Sequence, residues 1–300
     1  MPAGLAPLRH PPDDGLPGII HPGLPEPRGG RGIDRNTTKL HLRSPVCPPI
    51  SPVPLPRRHP PIAPAPVGLY RIRMIQLPRP PAALILDMDG TLLDTESIYV
   101  RSFMIAAADL GRPLPEDFLH GLIGAPGPNF QILVREKLGP DFPYADHRAR
   151  YLDLRTAMLA EGIPLKPGAV ALLDTADANR LPLAVATAAT RENAESHLAR
   201  AGLRHRFPHV ITRDDAEHPK PRPDIFLAAA AAVGHAPQTC LAVEDSHNGV
   251  RAAHAAGMMT LMVPDLAPPT DEITALCVGV LSDLHAVRDL LLSLAPGNRT

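Results

Sequence analysis

The chain has almost no charge imbalance: 30 Lys and Arg against 31 Asp and Glu leave a formal charge of −1 over 300 residues. Such a chain projects no global field toward nucleic acid or an anionic membrane surface, so neither is expected as a partner. Cysteine is scarce. Cys47, Cys240 and Cys277 are odd in number and far apart, which argues against a disulfide scaffold or a paired-cysteine zinc site and fits a reducing compartment. Long hydrophobic runs are missing too. No stretch approaches the roughly 18 to 20 apolar residues that span a bilayer, and no charged start leads into an apolar secretory segment. These absences predict a soluble, cytoplasmic protein. With 44% apolar residues the chain has enough to bury a real core.

Proline is abundant and unevenly placed. About half of the 39 prolines precede Ala82, in segments such as PVCPPISPVPLPRRHPPIAPAPVG, where each one removes a donor and fixes its own backbone angle. Residues 1–79 are therefore expected to form a disordered or extended arm. Three explanations compete for it: a ligand for proline-recognising domains at Pro54 to Pro61, a targeting arm, or translation that starts at Met74. The last is preferred, because Met74 stands just ahead of the first strand.

From Ala82 onward strands and helices alternate, which predicts an α/β fold with a parallel sheet covered on both faces. Expected strands are 83–88, 183–187, 209–212, 241–244 and 259–263; expected helices include 191–201, 224–233 and 248–256. A closing strand and helix are expected after Pro264. No internal repeat is present. The interval 97–164 carries helical apolar spacing at Phe130, Leu133, Val134 and Leu138. It reads as an inserted helical subdomain, giving a core of 80–97 and 165–300 with an insertion at 98–164.

The stretch LILDMDGTLLDTES, residues 84–97, ends an apolar run on Asp87, Asp89 and Asp94. Crowded carboxylates at the mouth of a buried strand are costly unless a metal or a proton offsets them. Asp87 and Asp89 are two apart, on one face of an extended backbone, and Gly90 permits a sharp turn behind them. A calcium loop fits the DxDG alone, but the later oxygen ligands and closing glutamate of an EF-hand are absent. Three further segments stand out: Thr187 ends a strand in LAVATAATREN, Lys220 precedes a helix in HPKPRPDIF, and Glu244 with Asp245 ends a later strand in LAVEDSHNGVRAAHAAGM. Each has an ordinary reading. Thr187 suits a strand, Lys220 suits a surface loop, and the acidic pair with Ser246 suits a helix cap. Their joint occurrence in this order outweighs those readings.

In these four segments, spanning about Leu84 to Val263, the chain resembles the haloacid dehalogenase superfamily, and its acidic fourth motif resembles that of the β-phosphoglucomutase-like subfamily. The resemblance implies a Rossmann-like doubly wound core with a small helical cap, and a Mg²⁺-dependent phosphatase acting on a small phosphorylated metabolite as a monomer or weak dimer. It implies Asp87 as the nucleophile that forms a phosphoaspartate, Asp89 as acid and base, and Lys220 as a point charge on phosphate and nucleophile. Thr187 and the backbone amides near Gly90 and Ala188 complete the phosphate cradle. Asp87, Asp245, Glu244 and the backbone carbonyl of Asp89 are the implied Mg²⁺ ligands. His120 and Asn129 in the cap, and Arg191 at a helix start, are candidate substrate contacts; loop punctuation and a solvated helix residue are the competing readings. Phosphomutases of the subfamily carry a Lys four residues after a cap His. Here Gly124 stands there, and Thr91 replaces the Val common in mutases, so hydrolysis is favoured over transfer. Dehalogenation is disfavoured because those relatives lack the second aspartate. A non-catalytic scaffold using the proline-rich arm is the alternative of another class, and the filled catalytic positions weigh against it.

Overall fold

The computed structural model describes residues 75–115, 118–119 and 127–294, with side chains throughout except at 127–131. Most of the proline-rich arm, Cys47, Met74, His120 and Gly124 lie outside these residues, and so does the side chain of Asn129.

Six parallel strands form one sheet: β1 (Ala83–Leu86), β2 (Leu183–Ala186), β3 (His209–Ile211), β4 (Cys240–Glu244), β5 (Met259–Met262) and β6 (Gly279–Val280), in the order β3-β2-β1-β4-β5-β6. Alternation along β1 explains why the sheet needs cover on both sides. Leu84 and Leu86 enter one apolar cluster with Leu172, Leu198 and Val287, while Ala83 and Ile85 enter the other with Phe226, Ala229 and Ala253. The covering helices are α4 (Ala169–Ala178), α5 (Arg191–Arg200), α6 (Asp224–Val233), α7 (His247–Ala255) and α9 (Leu284–Ser293), with short α8 (Asp271–Leu276) before β6. The expected strands are thus present with ends shifted by one or two residues. Among the described residues no helix is long and apolar enough to cross a membrane.

Between β1 and α4 stand α1 (Thr95–Asp109), α2 (Gly127–Leu138) and α3 (Tyr144–Glu161). They have their own apolar cluster, in which Phe118, Leu119 and Val134 gather Phe103, Leu133, Leu138 and Tyr144. Asp94 opens α1 by accepting from the Ser97 amide, so this member of the acidic run is a helix cap. The linkers into and out of the insertion pair with each other: Asp94 N donates to Pro164 O at 2.8 Å and Lys166 N to Leu92 O at 2.9 Å. Lys166 also bridges to Asp265 at 2.6 Å, tying the exit linker to the segment after β5.

One boundary needs correction. Ile75 and Leu77 already pack on the core, ahead of residue 80, and an added Cβ on Gly279 would lie 2.3 Å from Ile75 Cδ1. Ile75 sits against the bare backbone of β6, an approach that composition does not reveal.

Candidate active site

The strand order reverses direction between β1 and β4, and in open parallel sheets ligands bind in the crevice beyond the strand ends at that point. Asp87 follows β1 there, its amide donating to Val243 O at 3.0 Å. Met88 enters the core with Leu84 and Leu86, which leaves Asp87 and Asp89 on the other side of the backbone. Glu244 ends β4 beside them, 1% exposed.

Lys220 joins the two strands. Its Nζ donates to Asp87 Oδ1 at 2.5 Å, Glu244 Oε1 at 2.7 Å and Ala186 O at 3.1 Å, which uses all three ammonium hydrogens. The loop that carries it is fixed by Asp224, whose Oδ1 accepts from the His218 amide and contacts His218 Nδ1. Glu244 is held from the other side by Ser246, whose amide and hydroxyl donate to Oε2 at 2.7 and 2.9 Å. Ser246 is also the N-cap of α7, accepting from Gly249 N. Capping therefore falls to Ser246 and leaves Asp245 free of that duty. Gly249 is required by crowding: a Cβ there would lie 1.6 Å from Glu244 Oε1.

Asp245 lies over the turn after β1. Thr91 Oγ1 donates to its Oδ1 at 2.7 Å, and a Cβ on Gly90, which has φ +86°, would come within 2.5 Å of its Oδ2. Gly90 is thus needed twice, for its left-handed backbone and for its missing side chain. Asp89 accepts from Thr95 Oγ1 at 2.9 Å. Thr187, 1% exposed, accepts from Ala189 N at 3.0 Å, which leaves its own proton to donate. Ala188 beside it is exposed.

Charge in this crevice is unbalanced. Burial pushes Asp87 up to about 8, against the pull of Lys220 and with repulsion from Glu244 and Asp89 added. Asp245 is raised by burial and then by Glu244 and Asp87. Burial would lower the Lys220 ammonium, but Asp87 and Glu244 outweigh it and hold its pKa above the usual lysine range. One ammonium thus faces three carboxylates. Oxygen-rich and short of positive charge, this donor set suits a hard divalent cation.

A second group of polar side chains lines the insertion side, and the sequence reading did not single it out. Burial raises Glu96 to about 7, helped by Asp89, Asp265 and Asp94. The Arg155 guanidinium lies 5.3 Å from the Tyr99 ring centroid and 5.8 Å from that of Tyr151, while its buried Nε has no hydrogen-bond partner among the described residues. The DTE run and an arginine on α3 were visible, but only packing shows that they share a face. Arg191, by contrast, is engaged at the sheet edge. Its guanidinium donates to Val210 O at 2.6 Å and to Asp215, and pairs with Glu195.

Residues 81–257 match the family model of haloacid dehalogenase-like hydrolases. The fructose-1-phosphate phosphatase YqaB of Escherichia coli (strain K12) is 35% identical over 180 residues, covering 59% of this chain and 93% of that protein. A phosphorylated carbohydrates phosphatase of Thermotoga maritima is 29% identical over 176 residues, covering 59% and 82%. The crystal structure of CbbY from Rhodobacter sphaeroides in complex with phosphate superposes with a TM-score of 0.53 at 29% identity, covering 68% of this chain and 95% of that one. The chain belongs to the haloacid dehalogenase-like hydrolases, in their β-phosphoglucomutase-like subfamily, and is a phosphoric monoester hydrolase.

Proposed function

We propose that the protein is a Mg²⁺-dependent phosphatase that hydrolyses a small phosphorylated metabolite through a phosphoaspartate at Asp87. The observation that carries this reading is the bridge of Lys220 between Asp87 and Glu244 at adjacent strand ends, with Asp245 held over the same crevice. A phosphate monoester dianion repels an incoming carboxylate, so positive charge must be in place before attack. Lys220 supplies part of it and holds Asp87 Oδ1 in one orientation. Asp87, Asp245 and the backbone carbonyl of Asp89 would hold Mg²⁺, joined by Glu244 through lone pairs that Lys220 and Ser246 leave open. Bound there, the cation neutralises phosphoryl charge that one ammonium cannot.

The remaining steps belong to side chains. Asp87 attacks phosphorus in line with the leaving oxygen, which splits one hard displacement into two easier ones. Asp89 protonates the departing alcohol and, as the resulting carboxylate, takes a proton from the water that attacks the phosphoaspartate. Thr187 donates its hydroxyl to a phosphoryl oxygen, and the amides near Gly90 and Ala188 complete the cradle. The insertion at 98–164 acts as a cap that excludes water, with Tyr99 and Arg155 on its inner side and Glu96 just before it.

Phosphate release measured against phosphorylated carbohydrates, phosphoglycolate and nucleotides, with Mg²⁺ or with EDTA, tests the reading. Carbohydrates lead the panel because the E. coli and T. maritima relatives are named for such substrates. Metal-dependent release of inorganic phosphate is expected. Release that survives EDTA, or products that keep their phosphate, would overturn it.

A further inference from the structure

Asp89 is reached by two elements, and only one of them belongs to the motif that contains it. Thr95 Oγ1 of α1 donates to Oδ1 at 2.9 Å. From α5, His197 Nδ1 lies 3.5 Å from the same oxygen. The imidazole is 7% exposed, between Ala194 and Leu198, both fully buried in the core. A purely apolar side chain would fill that row of α5 without a desolvated ring nitrogen, and a buried polar atom without a partner is unfavourable. Nδ1 has no hydrogen-bond partner within the ordinary range among the described residues, and Asp89 is what it faces. A small approach of the two side chains brings the pair within about 2.7–3.2 Å, the range of an N–H···O bond.

We propose that His197 is a positioning residue for Asp89: with its proton on Nδ1, the imidazole joins Thr95 in holding Oδ1, so that Oδ2 is the oxygen turned to the leaving group. The inference rests on Asp89 being the acid and base of the proposed reaction. Proton transfer runs between Oδ2 and the leaving oxygen, or Oδ2 and water; His197 neither gives nor takes a proton. Its contribution is orientation, because a carboxylate that turns about its side-chain bonds spends less time aligned for transfer.

Two phosphate esters separate this role from a general packing role. Glycerol 2-phosphate leaves as an alkoxide that needs a proton, whereas 4-nitrophenyl phosphate leaves as a stable anion. In His197→Leu the ratio of kcat/KM for glycerol 2-phosphate to that for 4-nitrophenyl phosphate should fall about tenfold, a part of the roughly 10²–10⁴-fold that a positioned acid contributes. KM should stay within about twofold, since only an interaction made in the transition state is lost. His197→Asn places an amide N–H where Nδ1–H was and should restore the ratio; His197→Gln reaches past that point and should not. The Asn and Gln pair carries the test if the leucine variant folds poorly. An unchanged ratio in His197→Leu, or equal ratios in the Asn and Gln variants, overturns the inference. Asp89→Asn is measured alongside. If it keeps turnover of glycerol 2-phosphate, the reading of Asp89 fails; if it loses turnover while the His197 variants keep the wild-type ratio, only the positioning role fails.

Discussion

Replacing Lys220 by methionine removes a buried cation while keeping most of the side-chain volume. The lysine side chain is 7% exposed and touches Asp87, 9% exposed, and Glu244, 1% exposed. Breaking a buried ion pair from one side leaves the partner charge stranded, at a cost of about 3–5 kcal/mol. In a domain of this size each kcal/mol corresponds to about 2–4 °C, so melting should fall by about 6–20 °C. The loss should depend on pH. Asp87 in the folded chain is raised from 3.8 to about 8, so the folded state binds more protons than the unfolded one between those values, and stability falls as pH rises through that window. Without Lys220 the main downward pull on Asp87 is gone and the window widens upward. From pH 4 to 8 Asp87 is protonated in the folded state of both proteins, so the deficit of Lys220→Met should be level there and grow above pH 8, where Asp87 ionises only in the wild type. Urea denaturation in EDTA at about pH 6 and about pH 9.5 measures it. A loss below about 1 kcal/mol at the alkaline end, within the range of an exposed ion pair, or an equal loss at both ends, would refute the reasoning.

Asp89→Asn should reduce turnover by roughly 10²–10⁴-fold while calorimetry shows Mg²⁺ binding close to wild type, because its side chain serves proton transfer; strong metal loss would move Asp89 into the metal site. Gly249→Ala puts a methyl where Glu244 Oε1 now lies; overpacking should cost about 1–3 kcal/mol and turnover should drop as Lys220 loses its partner, whereas wild-type melting and turnover would contradict the crowding. Glu96 is raised from 4.5 to about 7, so its protonated form is favoured by folding and stability falls as pH rises between these values. Glu96→Gln should match wild type below about pH 4.5 and gain about 1–3 kcal/mol above pH 7; a difference that does not change with pH would contradict the burial of that carboxyl.

The strand ends were legible because a parallel sheet converts sequence order into spatial order. Asp87, Thr187, Glu244 and Asp245 each follow a short apolar run, and pairing those runs side by side brings their ends together. Lys220 was legible from its motif, although only the fold shows that it bridges two carboxylates. What escaped the sequence depends on helix rotation and on close approach between distant segments. Asp94, the third acid of the run that begins at Asp87, is the cap of α1. Arg155 reaches the ring of Tyr99, three residues along α1 from Glu96, only because α1 and α3 pack together. His197 sits seven residues past the TAAT motif and reaches Asp89 through the rotation of α5. Arg191 was a candidate substrate contact with a solvated helix residue as the competing reading; it engages Asp215 and the Val210 carbonyl of β3, a competition between nearby acceptors that periodicity cannot rank. Gly279 and Ile75 meet across more than two hundred positions, so the start of the core was set too late.

The most direct measurement is to quench the enzyme in acid during Mg²⁺-dependent turnover of 4-nitrophenyl phosphate, then map the peptides by mass spectrometry. A phosphoryl group on the peptide that contains Asp87, missing from Asp87→Asn and accumulating when Asp89 is replaced by asparagine if the second step is the slower one, is the expected result. Turnover that proceeds with that carboxylate unmodified, or at an undiminished rate in Asp87→Asn, would contradict the account.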